Sequence, residues 1–179
     1  ADYAFLFTYA KRNLFVDGLN IGGNFKIINR KVGDFATAWG FGIDIGAHYT
    51  VNKWKFGAVA RDVTSTFNAW SFDLTDRTKE VFLQTDNEIP VNSLEVTLPR
   101  LLLGAARKFD FNDKFSLLAE LNTDMTFDGK RNVLIKGNTV SIDPHMGVEF
   151  GYGGFVFLRG GLGNIQQVSE VTGSQVWTL

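Results

Sequence analysis

The amino-acid sequence predicts an all-β protein, a transmembrane antiparallel up-and-down β-barrel. Three observations predict this fold: apolar and polar residues alternate, short and long connections alternate, and aromatic residues lie at strand ends. In the segment Trp39–Arg61, nearly every second residue is apolar on either side of a break at Thr50–Lys53. Because a period of two residues is typical of β-strands, this segment predicts a hairpin.

The same alternation recurs along the chain and predicts eight strands and the start of a ninth. They lie near residues 2–10, 19–30, 39–49, 54–61, 94–109, 115–127, 140–150, 155–163 and 175–179. The apolar faces of the clear strands are, in chain order, Tyr3, Phe5, Phe7, Tyr9; Leu19, Ile21, Phe25, Ile27; Trp39, Phe41, Ile43, Ile45; Trp54, Phe56, Ala58, Ala60; Phe115, Leu117, Ala119, Leu121; Val140, Ile142, Met146, Val148; and Val156, Leu158, Leu162. In the strand near 94–109, the three consecutive apolar residues Leu101–Leu103 leave open which side chains belong to the apolar face. No period of 3.6 residues extends over ten or more positions, so no long helix is expected.

Composition limits the classes of function. The chain has 179 residues, 45% hydrophobic and 21% charged, which fits a single domain over residues 1–179. Its net charge of −1 gives no sign of a nucleic-acid partner, and it has no cysteine for disulfides or thiolate metal sites. It has no run of 18 apolar residues, but alternating strands can also cross a membrane. The last residues read as a strand cut short, so we expect this domain to be an incomplete part of a longer barrel chain.

The lengths of the connections favour a membrane barrel. The short ones are Thr50–Lys53, Asp110–Lys114 and Gly151–Gly154, and the longer ones are Lys31–Thr37, Asp62–Ser93 and Asp128–Asn138. Short and long alternate from the second strand to the eighth, as do the periplasmic turns and extracellular loops of outer-membrane barrels. The link Lys11–Gly18 is an exception, because it lies on the short side and is longer than expected.

The positions of the aromatic residues point the same way. Trp39 and Tyr49 bracket one strand, and the ten residues between them span about 33 Å of extended chain. With the tilt of a barrel strand, this matches an apolar band about 25 Å high. The polar faces are also rich in glycine, which weakens the exposed strands of soluble proteins. A soluble β-sandwich or a lipocalin-like barrel remains the alternative fold.

Charged side chains of both signs share the predicted polar faces. We expect them to form a network of ion pairs and hydrogen bonds in the barrel lumen. They are Lys26, Arg30, Asp44, His48, Lys55, Arg61, Glu120, Asp124, Asp143, His145, Glu149 and Arg159. His48 and His145 could form a metal site with nearby carboxylates, but their spacing is not diagnostic and hydrogen bonding is favoured. No catalytic residue, metal or cofactor is expected, because no nucleophile motif or phosphate loop is present.

The segment Asp62–Ser93 is too long for an ordinary connection, which indicates a function or an inserted plug. It contains aromatic and aliphatic residues among polar ones. The candidate residues for binding a partner are Phe67, Trp70, Phe72, Phe82 and Leu83. Two interpretations have equal weight. These side chains either pack over the mouth of the barrel or form a docking surface for another protein.

Five segments resemble the PorV/PorQ family of Bacteroidota outer-membrane proteins. They are Asn24–Ile28, Ala38–Gly46, Arg61–Trp70, Leu101–Phe109 and Phe157–Gly161. The resemblance covers most of the chain and consists of barrel-wall motifs, which identify the family better than the member. It implies a barrel similar to the FadL transporters, of whose strands this chain contains only about eight or nine. It also implies a role in the type IX secretion system, with no catalytic residues to transfer.

The resemblance therefore leads to a specific expectation. The protein would be a non-enzymatic outer-membrane subunit or cargo shuttle of type IX secretion in a Bacteroidota-like bacterium. Its partners would be membrane lipid, the large translocon barrel and secreted cargo proteins. The alternative is a FadL-like outer-membrane channel for hydrophobic small molecules.

Overall fold

The computed structural model describes residues 1–169 and 175–178, and most of them lie in β-strands. The elements are β1 Asp2–Lys11, β2 Leu19–Val32, β3 Ala36–Val51, β4 Trp54–Arg61, β5 Thr66–Phe72, α1 Asp76–Gln84, β6 Ser93–Thr97, β7 Arg100–Asp110, β8 Phe115–Thr126, β9 Ile135–Lys136, β10 Ser141–Tyr152, β11 Val156–Leu162, β12 Gln166–Ser169 and β13 Gln175–Thr178. The all-β prediction is confirmed. Among the described residues, no helix is long and apolar enough to cross a membrane.

One antiparallel sheet contains most of the strands. Its main order is β1-β2-β3-β4-β7-β8-β10-β11, while β5 pairs with β3 and β6, and β9 pairs with β10. Strands β12 and β13 form a separate two-stranded sheet. Neighbours in the sheet are mostly neighbours in sequence, as predicted for an up-and-down arrangement. The large sheet begins at β1 and ends at β11 and is not closed into a barrel.

One predicted connection is shorter in the structure, and one predicted strand is divided. Strands β2 and β3 pair as far as Val32 opposite Ala36, so three residues replace the long connection expected at Lys31–Thr37. The polar residues there continue the ladder, and Gly33 supplies a turn with φ of +56°. The strand predicted near 94–109 is divided into β6 and β7 around Pro99, which has no N–H group for a ladder.

Side chains sort onto two faces of the sheet in continuous rows. One row of register partners crosses seven strands and is apolar throughout. It consists of Leu19, Tyr49, Phe56, Ala105, Leu121, Met146 and Leu162. The next row along the strands contains only polar residues and glycine. It consists of Asn20, His48, Gly57, Gly104, Asn122 and His145. Register also settles the facing of Leu101 and Leu103, which lie on the apolar face.

Burial is the reverse of that in a soluble protein. Leu121, Met146 and Leu162 are 60%, 55% and 49% exposed, since no second layer of described residues covers the apolar face. The most buried side chains with polar groups are Thr66, Asn68, Thr126 and Ser141, and the only buried apolar ones among the described residues are Ala36 and Ala38. The described residues therefore contain no apolar core of ordinary size.

A bulge explains the predicted long connection Asp62–Ser93. Strands β4 and β5 both pair with β3, with Ala60 opposite Ile45 and Phe67 opposite Phe41. Phe41 and Ile45 are four positions apart on β3, whereas Ala60 and Phe67 are seven positions apart, so the chain between β4 and β5 bulges out of the ladder. Strand β5 then pairs with β6, and α1 lies between them in the chain. Most of the predicted loop is therefore a hairpin extending the sheet, with a helix in its connection.

Gly42 makes room for this bulge, since a Cβ atom there would lie 2.0 Å from Thr66 Oγ1. We expect Gly42→Ala to displace Thr66 and lower the free energy of unfolding by about 1–3 kcal/mol, as overpacking does. Urea unfolding followed by tryptophan fluorescence measures this change. Gly57→Ala is the matched control, because its Cβ would meet nothing within 4 Å. Equal destabilisation by both substitutions would contradict this role of Gly42.

Candidate functional site

Three charged side chains meet on the polar face, at the point where β4 ends. Lys26 Nζ donates hydrogen bonds to Asp44 Oδ1 at 2.8 Å and to Asp62 Oδ1 at 2.5 Å. The three side chains are mostly buried. Charge-assisted hydrogen bonds are stronger in such surroundings than in water. Lys26 therefore joins β2 to β3 and to the residue that follows β4.

The backbone around Asp62 is shaped by the same cluster. Asp62 has φ of +53°, a conformation that aspartate tolerates better than most residues. Its N–H group donates to Asp44 Oδ1 at 2.9 Å, and the Thr66 hydroxyl donates to its carboxylate. Val63 N–H donates to Ile43 O at 2.8 Å, so the chain stays attached to β3 across the bulge. The cluster thus holds the bulge against β3.

A cavity of about 450 Å³ lies beside the bulge. Its charged lining comes from three parts of the chain, namely the end of β4, the start of β7 and the turn after β8. The other lining residues are Thr126 and those around the β6–β7 break. The lining residues are Arg61, Asp62, Val96, Thr97, Leu98, Pro99, Arg100, Thr126, Asp128 and Arg131. Arg61 and Arg100 are direct register partners, an arrangement that is unfavourable for like charges. Arg100 Nη1 lies 3.9 Å from Asp124 Oδ2, which offsets part of this repulsion.

The turn after β8 carries Arg131 to this cavity. Arg131 Nε donates to both carboxylate oxygens of Asp128, at 2.8 and 3.0 Å, and these hydrogen bonds lower the pKa of Asp128 to about 2. The buried Ser141 hydroxyl accepts from Arg131 N–H at 3.0 Å and donates to Gly129 O at 2.8 Å. The turn is therefore fastened to the start of β10. The Thr126 hydroxyl lies beside Asp128 but makes no hydrogen bond of normal geometry.

The register places all twelve predicted polar residues on one face of the sheet. Several of them meet in pairs. Lys26 contacts Asp44, Arg159 Nε donates to Glu149, and His145 Nε2 lies 3.8 Å from Asp124 Oδ1. Because the sheet is open, a lumen on this side stays a prediction.

The remaining polar residues are spread across the sheet. His48, Lys55 and Glu120 line a separate cavity of about 230 Å³. His48 on β3 and His145 on β10 belong to one row but are four strand spacings apart, about 19 Å. They do not share a metal site. Within residues 1–169 and 175–178, no three histidine or carboxylate side chains are grouped as metal ligands.

The sequence interpretation missed the residues that complete the site. Asp62, Thr66, Arg100, Asp128 and Arg131 lie in the region expected to be loop or on a strand of ambiguous facing. A signal for Asp62 existed, because the alternation of β4 breaks directly after Arg61. No local signal indicated that Asp62 would reach Lys26, which is 36 positions earlier.

The five candidate partner-binding residues do not form one surface. Phe67 lies on the apolar face beside Phe41, with 6.4 Å between ring centroids. Trp70 and Phe72 lie on the opposite face, because residues three apart on a strand point in opposite directions. Phe82 and Leu83 lie on α1, where Leu83 is 67% exposed.

Trp70 and Phe72 form a packed aromatic pair on the polar face. Their ring centroids lie 6.2 Å apart, and the Arg30 guanidinium carbon lies 5.4 Å from the Trp70 ring centroid. Trp70 Nε1 donates to Glu95 Oε2 at 2.9 Å, linking β5 to β6. Their register partners Ala38 and Ala36 are buried. This pair therefore rigidifies the hairpin as well as presenting aromatic surface.

Comparisons of the chain with protein-family models, curated proteins and solved structures found no match. The resemblance to the PorV/PorQ family therefore stays a prediction from sequence. The features that bear on function are the two faces of the sheet and the β5–β6 hairpin.

Removal of the Lys26 ammonium tests the cluster at the bulge. We expect Lys26→Met to lower the free energy of unfolding by about 2 kcal/mol, because two mostly buried carboxylates lose their common donor. The urea unfolding midpoint measures the loss. Lys55→Met is the matched control, since Lys55 lies on the same face and has no ion pair among the described residues.

A double substitution tests the cause of this loss. Adding Asp62→Asn to Lys26→Met removes one of the two carboxylates that Lys26 separates, so it should recover part of the stability. The absence of recovery would contradict repulsion between Asp44 and Asp62 as the cause.

Proposed function

We propose that this chain forms part of the wall of an outer-membrane β-barrel, with its apolar face toward lipid and its polar face toward the lumen. The observation that carries the proposal is the reversed burial, in which large apolar side chains are exposed and polar ones are buried. In water, exposing so continuous an apolar surface is unfavourable at about 25 cal/mol per Å². Lipid removes that cost, and the ladder hydrogen bonds satisfy the backbone.

Aromatic residues at both ends of the apolar face support this placement. The short-turn end of the sheet is the end where β3 turns into β4, β7 into β8 and β10 into β11. There the Trp54 and Phe56 ring centroids lie 5.8 Å apart in a stacked pair, and the Phe115 and Tyr152 ring centroids lie 4.9 Å apart. At the other end, Trp39 is 57% exposed on the same face. Aromatic girdles at both interfaces are typical of transmembrane barrels.

The open edges of the sheet also favour a larger barrel. The outer edges of β1 and β11 have no partner strand among the described residues. Unpaired edges promote aggregation in water, and in lipid they leave backbone groups unsatisfied. Further strands that join β11 to β1 would remove both edges. We therefore infer a closed barrel of FadL-like type, in which this chain supplies one sector.

We further propose that the barrel is a non-enzymatic, protein-binding subunit or cargo shuttle of type IX secretion. The five sequence segments that resemble the PorV/PorQ family support this role. The β5–β6 hairpin adds support, because it extends the sheet at the long-loop end and carries exposed apolar residues on α1, among them Val81 and Leu83. Its partners would be the large translocon barrel and secreted cargo.

The alternative, a channel for hydrophobic small molecules, has less support from the polar face. A cavity of about 450 Å³ on that face is lined by three arginines and two aspartates, beside Val96, Leu98 and Pro99. A ligand site for an apolar molecule would be lined mainly by hydrophobic and aromatic side chains.

The lipid-facing orientation can be tested with single spin labels, because the chain contains no cysteine. Leu121→Cys and Asn122→Cys place labels on adjacent residues of β8 that lie on opposite faces. In vesicles, we expect the label at 121 to collide more often with oxygen, which concentrates in lipid, and the label at 122 with a water-soluble nickel complex. Electron paramagnetic resonance measures both collision rates. A label at 121 that is protected from both agents would show that protein covers this face and would overturn the proposal.

The role of the hairpin in secretion can be tested separately. We expect Trp70→Ala combined with Leu83→Ser to reduce co-purification with the translocon barrel and cargo release about tenfold, as loss of aromatic anchors does at interfaces. Phe67→Ala is the matched control on the same strand, because its side chain lies on the opposite face. Unchanged secretion in the double variant, with the spin-label pattern intact, would exclude the hairpin as the partner surface.

A further inference from the structure

Arg107 is the one charged side chain among the residues that β7 places on the apolar face. The residues of β7 on this face are Leu101, Leu103, Ala105, Arg107 and Phe109. The register partners of Arg107 are Trp54 on β4 and Ala119 on β8. Arg107 therefore lies within the aromatic belt at the short-turn end of the sheet.

Two aromatic rings hold the guanidinium group. Its central carbon lies 5.0 Å from the Trp54 ring centroid and 4.8 Å from the Phe109 ring centroid. Trp54 is itself stacked on Phe56 at an interplanar angle of 9°. Cation–π contacts of this kind favour a guanidinium over the faces of the rings. They leave its N–H donors, which lie in the guanidinium plane, available for another partner.

No carboxylate among the described residues lies within 4 Å of the Arg107 guanidinium. The nearest acidic residue along β7 is Asp110, which is occupied elsewhere. Its two carboxylate oxygens accept from Lys53 Nζ and Lys108 Nζ, each at 3.1 Å. Arg107 is therefore a positive charge at the short-turn end without a counter-ion in the part of the chain that the structure describes.

We propose that Arg107 binds the phosphate of an anionic lipid headgroup at the short-turn side of the membrane. This inference rests on the proposed membrane orientation. A guanidinium binds phosphate through two parallel N–H donors, and the surrounding apolar face accommodates the acyl chains of the same lipid. A free anion would match the charge of Arg107 but would gain nothing from Trp54, Phe109 and the aliphatic rows beside them. A headgroup at the interface satisfies both the charge and the apolar surroundings.

The test measures lipid retention by the full-length protein. The protein is inserted into nanodiscs of phosphatidylcholine alone or of phosphatidylcholine with phosphatidylglycerol, and native mass spectrometry counts the lipids that stay bound after release. We expect about fivefold preferential retention of phosphatidylglycerol, the effect of one basic residue near an anionic surface. Arg107→Gln should abolish the preference, and Arg107→Lys should keep part of it.

The matched control is Lys108→Gln, which changes the neighbouring cation on the opposite face. Its lipid preference should equal that of the unaltered protein. Insertion without a preference, or equal loss in Arg107→Gln and Lys108→Gln, would overturn the lipid site while leaving the membrane proposal intact. Displacement of the lipid by soluble glycerol phosphate at equal concentration would assign the site to free phosphate and also overturn it. Failure to insert into either nanodisc would overturn both the membrane proposal and this site.

Discussion

The strands of this sheet pair in register, and each alternates apolar and polar side chains with a period of two. The two faces of the sheet exist only because both conditions hold together. A shift of one residue in any ladder would move every apolar side chain of that strand to the polar face. The ladders avoid this, so the apolar row from Leu19 to Leu162 crosses seven strands without a charged residue. A single-layer sheet with such a face has no internal core to bury it. Its stability then depends on the medium or partner that covers the apolar side, and lipid is the medium that we propose.

The interruption between β4 and β5 is the main departure from that regularity, and it coincides with the most connected polar cluster. Lys26, Asp44 and Asp62 come from three different parts of the chain and hold the bulge against β3. The bulge also places Asp62 in the cavity that Arg61, Arg100 and Arg131 line. Bulges are common where a strand is redirected next to a functional region. Here the redirected strand begins the hairpin that we propose as the surface for protein partners.

The two faces of the sheet divide the chemistry of the molecule. The polar face contains the ion pairs between strands, the cavity beside the bulge and the aromatic pair Trp70–Phe72. The apolar face contains the aromatic belts and Arg107. Ion pairs within a wall of this kind stabilise one arrangement of strands, because each charge has a specific partner across a ladder. Arg107 differs from them, since its contacts are aromatic and its charge has no partner within the described residues.

We could predict from the amino-acid sequence the all-β class, most strand positions and the sharing of one face by the twelve polar residues. These properties follow from side-chain alternation, which is local and needs no knowledge of neighbouring strands. The pairing of strands in the folded protein was needed to establish the facing of Leu101–Leu103, the short turn at Gly33 and the separation of Phe67 from Trp70. It also decided that Asp62 meets Lys26, because that contact depends on the space left by Gly42 and on a bulge between distant strands. The bulge and the contact between Asp62 and Lys26 join residues far apart in sequence, so the alternation within a single strand does not encode them.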